Sequence, residues 1–491
     1  MSNEKHIVAL DLGSSKLAIT VAQVNGSDVQ IIYYKETASA GIRYSSVFNV
    51  MHVTEPLKRL ISDAEEQLGI KINQAVVGMP KFPIRQETSN GKITNRGEGT
   101  EITDEDIAFL KSLAEDSYPL KDAEKEAIYG AVAQSFSDGE NFQIIENDII
   151  GMTSDILEGN FKIFIGKKSD LRKIDQVMNK VGITGTKKYF TADTTAKAVL
   201  TPYEMENGVA LVDFGAGCTS VTIYHDSIMR HYASIPFGGK NITDDIKSEC
   251  QISQRLAENI KLGFGACMPE KLQSLSDKII HITSNTTEPD KKLPVKYLSE
   301  IITARVEEIM MAILYEIHQS GFADSLRSGI VITGGGAQIP NLGNFIYDIS
   351  GYRVKTGYPQ NLFSHLGCED ITETSATTSI GLILAAKDDM GNCVQNAEVS
   401  SDPFQNDNPF DFFNSTAENA TAPAQEHADD EPQTQQEDEV IQTTIFRDDE
   451  IETIEVEKKP KKKNPFKVIW TRFIDQAESL YDNVNQNLDN E

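Results

Sequence analysis

The chain has 491 residues, 39% of them hydrophobic, and a formal net charge of −28, which allows about two to four structural units but has the wrong sign for nucleic acid, whose ligands need a basic surface. Five cysteines without a CxxC pair argue against a disulfide framework or zinc ribbon and favour a reducing compartment. No run reaches the ~18 consecutive apolar residues of a membrane span, and the strand from Ile7, interrupted by Asp11, is no signal peptide, so the expectation is a cytoplasmic protein that does not cross a bilayer. The charge is uneven: residues 398–457 carry −17, residues 458–491 carry +2, and −13 is left for residues 1–397.

The first element is an apolar strand, Ile7 to Leu10, that ends at Asp11 and turns through Gly13-Ser14-Ser15-Lys16 into an alternating strand up to Val21. Helical periodicity follows at Val53 to Gln67, and a strand is expected at Ala75-Val76-Val77. From about Lys81 to Asn160 the character changes. Thr103 is placed as the N-cap of a helix, with Asp106 in the capping-box position, and Phe142 to Ile145 reads as a strand; together these predict a small α+β insert. Leu171 to Val181 and Leu298 to Gln319 are further helices, and the alternation of strands and helices predicts an α/β body.

The opening pattern recurs. Val209 to Val212, Asp213, the turn Gly215-Ala216-Gly217-Cys218 and the strand up to Ile223 parallel residues 7–21 position by position. Small residues in such a turn let backbone N–H groups face phosphate oxygens. An Asp at the strand end would repel phosphate directly, but suits a hydrated Mg²⁺, which is commonly bound through one or two carboxylates plus phosphate. Either hairpin alone is most simply an ordinary Gly turn; two with the Asp in the same place predict two similar domains facing across a nucleotide, with Lys16 adding a charge. Gly329 to Leu342 supplies a third feature, a buried strand and the triple glycine Gly334-Gly335-Gly336, where a flat base can approach the backbone. Glu258 and Lys261, three apart on one helix face, are by themselves a surface ion pair.

After about Lys387 the pattern stops. Residues 391–457 are too polar to offset the entropy of ordering and read as an acidic disordered linker, with a coil dimension of roughly 45 Å. Two islands, Pro403 to Phe413 and Ile441 to Phe446, are either short docking motifs or apolar residues in a linker. Residues 464–485 then predict an amphipathic helix: Phe466, Ile469, Trp470, Phe473, Ala477, Leu480, Tyr481 and Val484 share one face. That period also describes a docked helix or a short coiled coil. Lys458, Lys459, Lys461, Lys462, Lys463, Lys467 and Arg472 favour an interfacial membrane helix, since each basic residue near an anionic leaflet contributes ~1 kcal/mol.

The order of these segments resembles the actin, DnaK and sugar-kinase superfamily: phosphate 1 (11–20), connect 1 (196–201), phosphate 2 (213–222), adenosine (333–341) and connect 2 (374–385). Within it the stretches Ala198 to Thr201, Gly208 to Asp213, Arg230 to Pro236 and Ile330 to Leu342 are most similar to the FtsA family of bacterial cell division proteins. The resemblance implies two actin-like (ribonuclease H-like) domains around a nucleotide cleft, with domain 1A in 1–80, 161–203 and 361–390, an inserted subdomain 1C in 81–160 and domain 2 in 204–360. The acidic linker (391–457) and the membrane-targeting helix (458–491) would follow. It implies ATP and Mg²⁺ as ligands, with Asp11 and Asp213 framing the ion through water. Gly13, Ser14, Ser15, Lys16, Gly215 and Gly217 would meet phosphates, Glu258 and Lys261 the ribose and base, and Gly334, Gly335 and Gly336 the adenosine. Membrane contact would fall to Lys461, Lys462, Lys463, Phe466, Lys467, Ile469, Trp470, Phe473, Leu480 and Tyr481. Partners would be the division GTPase FtsZ, further copies of the chain in a filament, an anionic membrane at the septum, and other division proteins through the insert. Where hydrolysing relatives carry Gln or Glu in connect 1, the alignment places Lys197, which implies at most a slow ATPase. Cys218 is a structural substitution for Thr. Competing expectations are another actin-like membrane scaffold, of the cell-shape or pilus-assembly type, a small-molecule kinase of the same fold, and a DnaK-like chaperone, which the lack of a β-rich domain after residue 387 disfavours.

Overall fold

A computed structural model describes residues 5–94, 97, 99–282, 291–396 and 445–446. Two sheets built alike carry the body. In the first, strands Lys5–Leu12, Lys16–Asn25 and Asp28–Ala38 form an antiparallel meander, and Gln74–Gly78 then Gly185–Tyr189 extend it in parallel on the other side of Lys5–Leu12. In the second, Val209–Phe214, Thr219–His225 and Ile228–Ile235 form the meander, and Ile330–Thr333 then Val354–Thr356 extend it in parallel. The central strands Ile7 to Leu10 and Val209 to Val212 are uniformly apolar because helices cover both faces of each sheet, which buries every side chain.

The helices follow their sequence periods. Val295–Gln319 buries Leu298, Ile302, Val306, Ile309, Ile313 and Ile317 at three- and four-residue steps, the stripe that an amphipathic helix needs against a sheet. Ser299 falls within it, and its hydroxyl is satisfied by the Ala266 carbonyl at 2.7 Å. Helices Thr191–Val199 and Thr377–Ala386 cross where the chain passes between the domains. A Cβ on Gly381 would lie 2.2 Å from the Thr194 carbonyl oxygen, so only glycine lets the two backbones meet there.

The insert has a core of its own, with Leu110, Phe136, Phe161 and Ile163 inside. Its sheet runs Arg85–Ile93, Leu157–Lys167, Glu126–Ser137, all antiparallel, under helix Asp104–Ser117. Thr103 and Asp106 form the expected reciprocal cap. Two details differ from the sequence reading. Phe142 to Ile145 forms no strand; a single bridge joins Phe136 to Ile144, since Phe142 is exposed and has nothing to pack on. The strand Leu157–Lys167 also runs through residue 160 back to the first domain. The insert leans on the second domain: the Gln86 side chain meets Nδ1 of His231 at 2.7 Å and accepts from the Tyr232 N–H at 3.1 Å, and Gln134 donates to the Met229 carbonyl at 2.9 Å.

The 464–485 helix, its lysine cluster and nearly all of the linker lie outside the described residues. Of the linker, Ile445–Phe446 runs parallel to His281–Ile282. Among the described residues no helix is long and apolar enough to cross a membrane.

Candidate functional site: a cleft between twin hairpins

The two hairpins expected from the repeat have the same register. Asp11 pairs with Ala18 and Leu12 with Leu17; Asp213 pairs with Ser220 and Phe214 with Thr219. Their first glycines are required for the same reason. A Cβ on Gly13 would lie 2.6 Å from the Lys16 carbonyl oxygen, and one on Gly215 would lie 2.7 Å from that of Cys218. Each turn folds back on the carbonyl three residues ahead, which leaves no room for a side chain.

The turns face one another. A Cβ on Gly217 would come within 2.5 Å of the Ser14 hydroxyl, and that hydroxyl accepts from the Ser45 N–H at 3.0 Å. Lys240, at the start of helix Gly239–Cys250 in the second domain, donates to the Ser14 carbonyl at 2.6 Å. Burial holds the Lys240 ammonium below its ordinary pKa, against the pull of Asp244 and Glu258. That helix begins on the second hairpin: the N–H groups of Gly239 and Lys240 donate to the carbonyls of Gly215 and Ala216.

Asp213 is buried, and Asp11 lies half-buried on the opposite strand end. Burial raises the Asp11 pKa above the usual carboxylate value and Asp213 adds to the shift, although Lys81 and Lys16 oppose it. The cation against Asp213 is Lys81, whose ammonium also reaches the Thr378 hydroxyl at 3.4 Å. Burial works against the charged form of Lys81, but Asp213 and Asp11 more than offset it, and its pKa lies above the ordinary lysine value. Sequence reasoning missed Lys81 because 132 positions separate it from Asp213. Its only signal is a lysine just beyond a strand, Gln74–Gly78, that runs parallel to the Asp11 strand.

The other expected residues gather around this pair. Lys16 joins Glu36 and donates to Ser375 at 3.0 Å, so its charge is shared with the first domain's own carboxylate. Lys261 donates to the Gly239 carbonyl at 3.0 Å and to Glu258 at 2.8 Å, and Thr243 ties the two together. The Glu258–Lys261 pair thus sits over the helix start behind the second hairpin instead of standing free on the surface. Gly334 has φ +84°, and a Cβ there would lie 2.6 Å from Asp213 Oδ1; a Cβ on Gly336 would strike the Phe214 ring at 2.5 Å. The triple glycine is therefore pressed against the strand end that carries Asp213. Beyond it an open groove of about 620 Å³ is lined by residues such as Gln338, Asn341, Tyr347 and Arg353, and by neither aspartate.

Two sequence expectations take a definite place. Lys197 is exposed and paired with Asp193 at 2.8 Å, so it lies outside the cluster around the aspartates. Cys218 is buried, and desolvation pushes its thiol up to about 12, as befits a packing residue and not a nucleophile.

The residues gathered between the hairpins have the chemistry that a magnesium nucleotide requires. Two glycine turns offer backbone N–H groups, each hairpin carries a carboxylate at its strand end, Asp11 or Asp213, and the glycine backbone at 334–336 adjoins Asp213. Among the described residues there is no cluster of three or more His, Cys, Asp or Glu placed to hold a metal. A hydrated Mg²⁺ needs only one or two carboxylates and the phosphates.

Comparison with known proteins agrees with this architecture. A family model described as "Cell division protein FtsA" matches residues 210–381, which hold the second hairpin and the triple glycine. The cell division protein FtsA of Borreliella burgdorferi is 30% identical over 381 residues, 77% of this chain and 90% of that protein. The FtsA of Neisseria meningitidis is 28% identical over 397 residues, 80% of this chain and 92% of that protein. Among solved structures, the PilM-PilN type IV pilus biogenesis complex matches with a TM-score of 0.56 at 12% identity, covering 78% of this chain and 98% of that one, a likeness of fold alone. The fold is that of the actin-like proteins, and the chain belongs to the FtsA family of cell division proteins.

Proposed function

We propose that this actin-like cell division protein binds ATP with Mg²⁺ in the cleft and polymerises on the inner face of the cytoplasmic membrane at the septum. There it tethers FtsZ filaments, while the insert recruits later division proteins. The observation that carries the nucleotide part is the pair of hairpins in identical register, closing on one cleft from two domains. In this reading the turns at Gly13 to Lys16 and Gly215 to Cys218 receive the phosphates through backbone N–H groups. Lys240 and Lys261 add positive charge from the second domain, and Gly334 to Gly336 leave room for the adenosine. Mg²⁺, held through water by Asp11 and Asp213, would neutralise phosphate charge.

Turnover would be slow at most. The acid in helix Thr191–Val199 is Asp193, and its carboxylate is taken up by Lys197 and by Tyr224 at 3.4 Å, which leaves it poorly placed to take a proton from water. ATP would then act as a ligand that holds the two domains together for assembly. The membrane part rests on the basic, one-sided helix expected at 464–485.

Sedimentation with anionic vesicles tests the scaffold reading. Full-length protein should pellet with the vesicles; a chain ending after Lys463, and a full-length chain with Trp470→Glu and Phe473→Glu, should stay in the supernatant. Equal pelleting of all three, or of none, would contradict it.

A further inference from the structure

Lys81 belongs to none of the phosphate-binding segments, yet it is built into the cleft from both domains. Its carbonyl accepts from the Tyr232 hydroxyl of the second domain at 2.7 Å, and its N–H donates to the Ser45 hydroxyl of the first at 3.3 Å. Ser45 is itself tied to Ser14 in the first hairpin turn. The ammonium is thereby carried to Asp213, whose side chain is 9% exposed, with that of Lys81 at 16%. The nearest alternative counter-charge, Lys16, is taken by Glu36. A carboxylate as poorly hydrated as Asp213 needs a cation, and the chain supplies its own.

We propose that Lys81 is the resident counter-ion of the Asp11–Asp213 pair in the nucleotide-free protein and that it trades places with the hydrated Mg²⁺ of a magnesium nucleotide. This rests on the reading of the cleft as a magnesium-nucleotide site. The two cations answer the same negative charge, so they exclude one another at Asp213. Free Mg²⁺ gains little by displacing an ammonium already seated there; Mg²⁺ arriving with a nucleotide brings phosphates for the released ammonium to face. The exchange makes metal binding conditional on nucleotide. Lys81 also ties the segment between strand Gln74–Gly78 of the first sheet and the insert to Asp213 of the second sheet through one side chain.

The test is a titration of full-length, nucleotide-free protein with MgCl₂ against NaCl at matched ionic strength, read by thermal unfolding, for wild type, Lys81→Arg, Lys81→Gln and the double variant Lys81→Gln with Asp213→Asn. Wild type and Lys81→Arg should show no saturable response to Mg²⁺. Lys81→Gln should unfold at lower temperature than wild type without metal and be stabilised saturably by Mg²⁺, where wild type is not. The double variant should lose that response. A saturable Mg²⁺ response in nucleotide-free wild type would overturn the proposal even if Lys81→Gln did not fold. So would a Lys81→Gln response no greater than wild type, or one that persists without Asp213. A parallel Mg-ATP titration of wild type separates the two readings: no binding there refutes the nucleotide cleft itself, whereas binding with an unaltered metal response in Lys81→Gln refutes only the exchange.

Discussion

Gly334 shows how tightly single residues define the cleft. Its backbone, at φ 84° and ψ 172°, lies in a region that is essentially glycine's alone, where another residue costs about 1–3 kcal/mol. A Cβ there would also meet Asp213 Oδ1 at 2.6 Å. Gly334→Ala should therefore lower unfolding stability by at least about 1 kcal/mol and weaken nucleotide binding along with it; urea unfolding that leaves the midpoint unchanged would contradict this placement. At Gly217 the conflict is across the cleft, with Ser14 and the Tyr44 N–H, so Gly217→Ala should push the hairpins apart. It should reduce ATP affinity more than stability, as calorimetric titration beside thermal unfolding would show. Gly217 was legible in the sequence because its turn repeats that of residues 13–16, and Gly334 because a run of three glycines follows an apolar strand. Lys81 was not, because its partner is set by the tertiary fold.

The element most informative about domain coupling is the short helix Pro202–Asn207, which leads from the inter-domain crossing into the second sheet. Thr201 caps it, donating its N–H to Glu204 at 2.9 Å and receiving the Glu204 N–H at 3.2 Å, while Lys355 holds the other carboxylate oxygen at 2.7 Å. Burial raises the Glu204 pKa, but Lys355 and the Thr201 N–H and hydroxyl outweigh it and hold the group below its ordinary value. A depressed carboxylate stabilises fully above its unfolded pKa, and the contribution is lost as pH falls through the folded one. Thr201→Ala should cost about 1 kcal/mol at neutral pH, and Glu204→Gln should flatten the decline of stability between about pH 5 and 3; identical pH profiles for wild type and Glu204→Gln would contradict the assignment. Helices such as Val295–Gln319 were readable from period alone. The insert's strands were harder: Glu126–Ser137 exposes partly buried side chains on both faces and has register shifts against its neighbour, so period-two alternation is blurred, and the short apolar run at Phe142 drew attention instead.

At the scale of the molecule, two sheets that share a five-strand order are joined by apolar packing, with Leu211, Tyr224, Tyr232 and Val331 of the second in one cluster with the core of the first, and by polar links that include Lys240 on the Ser14 carbonyl, the Tyr232 hydroxyl on the Lys81 carbonyl, and Lys81 on Asp213. The polar links are single-residue contacts, the kind that a ligand in the cleft can exchange for its own contacts. The duplication was visible in the sequence because each copy repeats an apolar strand, an Asp and a Gly turn. The latches were not, since they join residues from different copies. The central claim, that the twin hairpins form a magnesium-nucleotide site, is tested most directly by calorimetric titration of full-length protein with ATP in the presence of Mg²⁺, comparing wild type with Asp213→Ala and the size-matched Asp213→Asn. Losing a charge-assisted contact of about 1.5–3 kcal/mol should weaken binding roughly tenfold or more in both variants. Unchanged affinity in folded Asp213→Asn, or no binding by wild type, would contradict the claim.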